Sequence, residues 1–476
     1  SILPKNSLES SLHQLECHFT WSLPKEDVDL DELEEKIVNQ TEFLIKTNIT
    51  NYNLLSYVCY LNNSEEKALT NLQKAEEEVK KNHPDEISRR SLVTWGNYAW
   101  IYYHMERYED AQAYVSKVEN SCKKLSSNAE CKIQFPEIYA QQGWALLSFG
   151  RKYYERAKNC FENALQNEPN NPEFNTGYAI TMYRLEDFSE RRYEDESLSL
   201  SPLKRAVELD PEDTFSSVLL ALKLQDLKQV DEGERYIEEA MQKNPYVPYV
   251  LRYAAKFYRR KGEVDKAVEI LKKAQEVTPK SVFLHHQLGL CYREKMIELK
   301  KARYPPQDQV DQLIHLCIFH FKTVIEQKTK FFYAHTDLAS MYAEGKMYKE
   351  AEETFQKASR INILSSHDEQ LFCYRYGNFN QFCKKSHSEA IKYYIKGMKI
   401  DKDSYMSRKC GMALKKLLEK RIQRGVGDAT DFGTLGLVHN LYGNKCEAID
   451  CYQQAVALCP DNEEYLNALC ELQLPS

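Results

Sequence analysis

The sequence predicts an all-α protein in which helix pairs stack into an α-solenoid superhelix with a central basic channel. Three observations support the helical repeat. Apolar residues recur at helical spacing, glycine and proline are sparse at 16 and 15 of 476 residues, and one short motif returns along the chain. With 42% hydrophobic residues, the chain can bury a large core.

The recurring motif describes the second helix of a pair. Its frame is Ala-x3-Phe-x2-Ala-x4-Pro, complete at Ala157, Phe161, Ala164 and Pro169. Further copies, some without the proline, begin at Ala68, Ala111, Gly233, Ala267, Ala351, Ala390 and Ala448. Upstream of these, small residues stand where two helices would cross, among them Ala99, Ala255, Gly289 and Gly436. Two antiparallel helices in about 34 residues, with small residues at the crossing, are the tetratricopeptide pattern.

The predicted organisation has three parts. We expect N-terminal helices and first repeats over 1–130, central repeats with the basic channel over 131–300, and a pivot helix with C-terminal repeats over 301–476. Glu186–Ser201 is a polar insertion within the central repeats, and Glu294–Ile318 lengthens the repeat before the last part. Stacked repeats of this kind present a concave surface for binding.

One predicted helix, Tyr249–Lys261, carries basic and aromatic residues on a single face. Positions i, i+3, i+7 and i+10 of this face, which we expect on the concave surface, are Tyr249, Arg252, Lys256 and Arg259. The matching inward positions of the next two repeats include His286 and Tyr333. Basic and aromatic side chains together suit the phosphates and stacked bases of single-stranded nucleic acid.

A second basic segment lies nearer the C-terminus. Ser407–Gly425 holds seven basic residues, including Lys415, against the single acidic residue Glu419. The segment is either a solvated helix face or a contact for the backbone of an RNA tail.

Composition limits the class of protein. The net charge of −7 argues against a general polyanion binder, so a nucleic-acid site must be a local basic surface. The 14 cysteines are scattered without a C-x-x-C pair, which favours buried free thiols over disulfides or metal ligands. The sequence has no run of about twenty apolar residues, so we predict no membrane span. The N-terminus lacks the residue pattern of a secretory signal peptide. We therefore expect a cytoplasmic protein.

The sequence favours a binding protein over an enzyme. It contains no G-x-x-x-x-G-K-[ST], H-E-x-x-H or G-x-S-x-G motif. A peptide-binding scaffold is the main alternative, because many tetratricopeptide arrays bind peptides. Arrays that hold a C-terminal carboxylate use lysine and asparagine on successive first helices. The early inward positions here do not supply that pair, since they include Asn53, Tyr57, Gly96 and Trp100.

Several longer segments resemble the interferon-induced proteins with tetratricopeptide repeats, from about residue 7 to the end. They are LECHFTW (Leu15–Trp21), RSLVTWGNYAW (Arg90–Trp100), GYAITMYRL (Gly177–Leu185), LRYAAKFYRRK (Leu251–Lys261) and FLHHQLGLCY (Phe283–Tyr292). The tail YLNALCEL (Tyr465–Leu472) is most similar to member five of that family.

The resemblance implies a cytoplasmic antiviral protein of interferon-induced innate immunity. Such a protein grips the 5′ end of foreign single-stranded RNA in a basic channel, and a 5′-triphosphate is the end that we expect first. Binding of capped RNA with an unmethylated ribose, or a scaffold role, is the alternative. Other family members or signalling proteins are further expected partners, whereas membranes and DNA are not.

The resemblance also implies the residues that grip the RNA. They are Gln40, Tyr154, Arg184, Tyr249, Arg252, Tyr253, Arg259, His286 and Gln287. Glu32, Lys36 and Gln40 share one helix face at i, i+4 and i+8. Glu32 would help hold Mg²⁺ against the triphosphate, since Mg²⁺ sits between one or two carboxylates and phosphate oxygens. As a surface residue, Glu32 would need no such role.

Three positions leave the ligand open. Ser148 stands where member five has lysine, and Lys36 stands where member five has threonine, so the positive charge is placed differently. Trp144 matches the tryptophan that stacks on methylated guanine in the cap-binding members. Its other interpretation is a core residue of the repeat.

Overall fold

The computed structural model describes residues 5–43, 48–126, 135–188, 197–279, 281–361 and 366–474. Within these ranges the regular secondary structure is helical and contains no strand, which confirms the all-α prediction. The described chain forms two compact units, 5–253 and 254–474, with the boundary inside helix Pro248–Lys261. The expected division after residues 130 and 300 stays a prediction.

The first unit begins with short N-terminal helices and continues with helix pairs. Its α-helices, up to the one that holds the boundary, are Lys5–His13, Leu30–Phe43, Asn48–Leu61, Glu65–Asn82, Ile87–Arg90, Leu92–His104, Tyr108–Leu125, Pro136–Ser148, Tyr154–Asn167, Pro172–Phe188, Leu200–Leu209, Thr214–Asp226, Val230–Lys243 and Pro248–Lys261. Short 3-10 helices lie at His18–Thr20, Lys25–Asp27 and Arg151–Tyr153.

The second unit continues the pairing. Its α-helices are Val264–Val277, Val282–Lys300, Gln307–Gln327, Phe332–Glu344, Tyr348–Ser359, Ser366–Phe382, His387–Ile400, Tyr405–Gln423, Ala429–Leu441, Lys445–Leu458 and Glu463–Gln473. The lengthened repeat predicted around Glu294–Ile318 appears as two long helices joined by a short connection. Most of the predicted insertion Glu186–Ser201 falls outside the described residues.

The repeat motif forms helix pairs because its aromatic residue packs under a glycine of a neighbouring helix. Phe161 is fully buried, and a Cβ added at Gly143 would lie 2.9 Å from its ring. Gly177, on the helix that follows, also has no room for a Cβ beside Phe161. The same packing joins Gly289 to Phe321 and Gly436 to Tyr452, so the predicted role of small residues at helix crossings is confirmed.

Buried polar side chains join the first helices of three pairs in the first unit. The Asn53 side-chain amide donates to Gln141 Oε1 at 2.9 Å, and the Thr94 hydroxyl donates to Asn53 Oδ1 at 2.9 Å. All three side chains are buried. Satisfied polar groups of this kind favour one arrangement of the helices, because an unpaired buried amide is costly. Two of these helices, Asn48–Leu61 and Pro136–Ser148, also contribute side chains to the cavity described below.

The cysteines that the structure describes are free thiols, and most are buried or half-buried as expected, but Cys446 and Cys470 are exposed. Burial raises the pKa of Cys59, Cys160 and Cys291 to about 11, which keeps these thiols protonated and unreactive. No group of three or more metal-ligating side chains occurs in the described ranges. None of the helices described is long and apolar enough to span a membrane.

A buried ion cluster joins three helices of the second unit. Asp337 accepts hydrogen bonds from Arg293 Nη1 and Arg375 Nη1, each at 2.7 Å, and its Oδ2 lies 2.8 Å from His286 Nε2. Burial alone would raise the pKa of Asp337, but Arg375, His286 and Arg293 together hold it well below its usual range. The carboxylate is therefore ionised in the folded protein.

The lowered pKa predicts how Asp337 affects stability. Its stabilising contribution is complete above the unfolded pKa of about 4 and is lost as the pH falls towards the folded pKa. We expect Asp337→Asn to lower the free energy of unfolding by about 3–5 kcal/mol at pH 7, because it leaves two guanidinium groups, each only about one-fifth exposed, without their partner. The loss should shrink between about pH 4 and pH 2.

Urea unfolding at a series of pH values measures this effect. Asp461→Asn, at an exposed position of the same unit, is the control for a change in net charge. A destabilisation by Asp337→Asn that is equal at pH 7 and pH 3 would contradict the prediction.

Candidate nucleic-acid interface

A cavity of about 620 Å³ opens within the first unit. Its wall comes from the N-terminal helix Leu30–Phe43, from the first helices of several pairs, and from the turn before helix Thr214–Asp226. Helix Pro172–Phe188 shows how the sequence builds this wall. Residues at i, i+4, i+8 and i+12 share one helix face and all reach the cavity: Pro172, Thr176, Ile180 and Arg184.

One part of the cavity is basic. Lys36 and Arg184 line it, and Arg252 is close enough to Lys36 to affect its ionisation. Loss of solvation by the surrounding protein lowers the pKa of Lys36 to about 7, with Arg184 and Arg252 adding to the shift and Glu32 opposing it. The Lys36 side chain keeps exposed surface. An anion bound beside it would raise the pKa again and restore the full charge.

The arginines of this part are held by neighbours. Arg184 Nη1 donates to the Leu147 carbonyl at 3.2 Å, and the guanidinium lies 5.9 Å from the Tyr154 ring centre. Arg252 lies 4.9 Å from the Tyr253 ring centre and donates to its hydroxyl at 3.3 Å. Fixed guanidinium groups lose less entropy when they bind a phosphate.

Two tyrosine rings of helix Pro248–Lys261 pack against a phenylalanine from the preceding helix pair. Phe215 packs edge-on against Tyr249 at 5.1 Å and against Tyr253 at 5.8 Å between ring centres. The Tyr249 hydroxyl shares a 2.7 Å hydrogen bond with Thr214 Oγ1. Burial raises the pKa of Tyr249 to about 12, so its hydroxyl stays neutral. Phe215 and Tyr249 both line the cavity.

The position of Trp144 is compatible with both of the interpretations that the sequence left open. Its ring packs edge-on against Phe161 at 5.3 Å, as a core residue would. It is also half-buried and lines the cavity together with the apolar side chains of Leu147 and Ile180. A flat ring could therefore stack on Trp144 from the cavity side.

Four acidic residues also line the cavity: Glu173, Asp210, Glu212 and Asp213. Burial raises the pKa of Glu173 to about 7, and the nearby Arg90 opposes the shift. Glu212 is exposed and pairs with Lys243 at 3.0 Å. The sequence analysis did not predict this acidic group. The stretch Asp210–Thr214 has a helix N-cap signature, but only the fold shows that it faces a cavity.

Asp213 is the N-cap of helix Thr214–Asp226. Its Oδ1 accepts from the Phe215 backbone N–H at 3.1 Å. Its Oδ2 accepts from the hydroxyls of Ser216 at 2.5 Å and Thr176 at 3.2 Å. Burial raises the pKa of Asp213, while these donated hydrogen bonds favour the ionised form.

The predicted site residues divide between the two units. Lys36, Gln40, Arg184 and Tyr249 line the cavity, so the structure brings these four together. Tyr154, Arg252 and Tyr253 belong to the same unit and contact one another or the wall as described above. Glu32 is exposed, one helical turn before Lys36. The Ser148 hydroxyl lines the cavity and donates to the Trp144 carbonyl at 2.9 Å.

The other predicted residues lie in the second unit. Lys256, Arg259 and Gln287 are half-buried, and burial lowers the pKa of Arg259. His286 is buried against Asp337. Tyr333 donates to Asp368 at 2.5 Å, and Lys415 lies 3.8 Å from Glu419, one turn further along its helix. Contact of any of these residues with RNA stays a prediction.

The chain is similar to known proteins over almost its whole length. The tetratricopeptide-repeat family model matches residues 254–281. Human "Protein IFIT1 homolog B" is 48% identical over 460 residues, 95% of this chain and 97% of that protein. Human "Interferon-induced protein with tetratricopeptide repeats 2" is 41% identical over 446 residues, 92% of this chain and 93% of that protein.

Solved structures with similar folds contain RNA 5′ ends. The human IFIT1 dimer with m7Gppp-AAAA has a TM-score of 0.86 at 46% identity, and the human IFIT1 dimer with PPP-AAAA has 0.84 at 46%. A monomeric IFIT1 mutant with Gppp-AAAA has 0.87 at 45%. Each covers 95% of this chain and 100% of the other.

The similarity is thus to IFIT1 proteins, and the narrower expectation of a likeness to member five is not supported. A relative at 48% identity that this chain matches over 97% of its length settles the wider question. The chain belongs to the family of interferon-induced proteins with tetratricopeptide repeats.

Proposed function

We propose that this chain is an antiviral protein that binds the 5′ end of single-stranded RNA, with the terminal group in the cavity of the first unit. The observation that carries the proposal is the pairing, in one cavity, of basic side chains with an aromatic ring. The IFIT1 structures with capped and triphosphate oligonucleotides support it. Binding in the cytoplasm, without catalysis, is part of the proposal.

The basic part of the cavity would hold the phosphates. Arg184 and Arg252 are held in place by backbone and aromatic contacts, and each can form charge-assisted hydrogen bonds to phosphate oxygens. Lys36 would gain its full charge as a phosphate approaches. These groups bind phosphate whatever base follows, so recognition of the 5′ end would tolerate many RNA sequences.

A guanine cap would use the aromatic part. At about 620 Å³, the cavity lies within the usual range of small-ligand pockets, about 300–1,000 Å³, and exceeds the needs of a triphosphate alone. Trp144 offers a ring face for stacking, with Leu147 and Ile180 as apolar neighbours. The cavity therefore suits both a triphosphate end and a capped end.

Binding of one RNA sequence with different 5′ ends tests the proposal. We expect triphosphate and capped ends to bind more tightly than monophosphate, and hydroxyl ends to bind weakly. Arg252→Glu should weaken triphosphate binding by at least about thirtyfold, because it replaces a charge-assisted contact by repulsion. Arg260→Glu, at an exposed position of the same helix, is the matched control and should bind normally. Unchanged RNA binding by a fully helical Arg252→Glu protein would contradict the proposed site.

The placement of charge at Lys36 and Ser148 gives a second prediction. Both residues line the cavity, so a lysine at 148 would face the charge already supplied by Lys36. We expect Ser148→Lys to change triphosphate binding little in the native background. In a Lys36→Thr background, it should strengthen binding by about tenfold, because a phosphate contact is then restored.

The test is equilibrium binding of triphosphate RNA over a range of salt concentrations. It compares the native protein, Ser148→Lys, Lys36→Thr and the double variant. A restored contact should steepen the slope of log affinity against log salt by about 0.7. The same gain in both backgrounds would show that Lys36 does not replace the missing lysine.

A Mg²⁺ role for Glu32 remains part of the proposal. Glu32 is one exposed carboxylate close to Lys36, and Mg²⁺ commonly takes one or two carboxylates, with phosphates and water as its other ligands. The residue therefore fits such an ion only when RNA phosphates complete the site. Chelation should weaken triphosphate binding in the native protein and have much less effect in Glu32→Ala. Equal sensitivity of the two proteins to the chelator would contradict a role for Glu32 in holding Mg²⁺.

A further inference from the structure

Two histidines of the second unit face each other through equivalent ring nitrogens. His285 lies on helix Val282–Lys300 and His320 on helix Gln307–Gln327, which are the two long helices of the lengthened repeat. The Nδ1 atoms of the two rings are 3.0 Å apart. His286, which the family resemblance assigns to RNA, points elsewhere, because consecutive residues of a helix do not share a face. The histidine pair is therefore a feature of its own, outside the proposed RNA site.

Both rings are in the form that binds metal ions. Burial lowers the pKa of His285 and lowers that of His320 to about 4, so both imidazoles are neutral at pH 7. A neutral imidazole carries its proton on one nitrogen and a lone pair on the other, and the lone pair is the metal ligand. Within the described chain, the polar and ring contacts of the pair are with Gln275 and with aromatic side chains. None of these neighbours would repel a cation.

The separation of the two nitrogens is close to what a tetrahedral ion requires. Zn²⁺ binds histidine nitrogen at about 2.0–2.1 Å, so two ligands at the tetrahedral angle lie about 3.3 Å apart. The observed 3.0 Å between His285 and His320 would have to increase by only a few tenths of an ångström. Because His285 is half-buried, an ion can reach the pair from solvent, and water can complete its coordination.

Neighbouring side chains hold the two rings and can select the correct tautomer. Tyr292 stacks on His320 at 5.5 Å between ring centres. Gln275 Nε2 lies 3.5 Å from His285 Nε2, on the side of the ring that faces away from His320. Rotation of this amide exchanges its nitrogen and oxygen, and the oxygen would then accept from His285 Nε2–H. A metal-binding histidine commonly donates its other ring N–H in this way, which leaves Nδ1 free for the ion.

We propose that His285 and His320 form a binding site for a divalent transition-metal cation such as Zn²⁺, which joins the two long helices of the second unit. Imidazole is a ligand that suits Zn²⁺, whereas Mg²⁺ and Ca²⁺ prefer oxygen. The ion takes the place of the shared proton between the two Nδ1 atoms, and that proton moves to His285 Nε2. The site is independent of RNA, so its failure would leave the proposed function untouched.

The experiment measures Zn²⁺ binding to the full chain by competition with a chromogenic chelator. Cys446→Ser and Cys470→Ser are present in every protein, because these exposed thiols would also bind Zn²⁺. The test variants are His285→Gln and His320→Gln. His315→Gln is the matched control, since His315 is exposed on the same helix as His320 and its Nδ1 lies 2.7 Å from the carbonyl of the preceding turn. Circular dichroism confirms that each protein is folded.

We expect His285→Gln and His320→Gln each to weaken Zn²⁺ binding by at least about tenfold, because loss of even an outer partner of a metal ligand costs this much. His315→Gln should bind Zn²⁺ normally. Zn²⁺ should raise the melting temperature of the control and not that of the test variants, since an ion that binds the folded chain stabilises it. Nitrogen-15 NMR of the histidine side chains should show Nδ1 as the ligand in both rings.

Equal Zn²⁺ affinity and equal thermal stabilisation in His285→Gln and His315→Gln would overturn the proposal, and the pair would then be an ordinary hydrogen bond between two neutral rings. His285 is half-buried, so this comparison holds even if the change at the buried His320 prevents folding. Binding of Zn²⁺ through Nε2 instead of Nδ1 would also contradict the site. RNA binding by His285→Gln should match that of the control, because the histidine pair lies outside the proposed RNA site.

Discussion

Phe161 is buried between two glycines, and the cavity depends on this packing. The ring meets Gly143 on one first helix and Gly177 on the next, so two helices that line the cavity approach each other closely. Trp144 packs edge-on against the same ring at 5.3 Å and therefore has a fixed orientation. A larger residue at either glycine would separate the helices, because a close-packed core has no space to absorb the change. The repeat motif thus positions the aromatic part of the site as well as the fold.

Electrostatics explains why the cavity suits an anionic group beside Lys36. Loss of solvation and two nearby arginines lower the pKa of Lys36 to about 7, and burial raises the pKa of Asp213. Each arrangement is costly without a partner, since a charge removed from water needs compensation. A phosphate beside Lys36 would relieve the cost at the lysine, because it would stabilise the charged form.

The helical repeat could be predicted from the sequence because it depends on local spacing. The motif places a large residue at a fixed position of the second helix, and the structure packs it against a small residue of the first helix, as with Tyr452 and Gly436. The basic and aromatic face of helix Pro248–Lys261 could also be predicted, because Tyr249 and three further residues recur at helical spacing. Lys36 and Gln40 were predicted as site residues from the family resemblance alone. No sequence spacing shows that an N-terminal helix lies beside helices from the middle of the chain.

The acidic part of the wall could not be predicted, for a related reason. Asp213 carries an ordinary N-cap signature, and a cap normally faces solvent. Its position in the cavity depends on where helix Thr214–Asp226 packs, which only the tertiary structure determines. Trp144 shows the same limit, because a repeat-core position and a ligand face can coincide in one ring.

His286 shows how a buried acid can support a basic wall. The repeat register predicts an inward position, and the structure buries the ring against Asp337, 51 residues further along the chain. Asp337 also binds Arg293 and Arg375, so one carboxylate orients two guanidinium groups and leaves the cluster positive overall. Unpaired, these arginines would repel one another and move apart. An acidic residue within this basic cluster therefore holds its positive charges together.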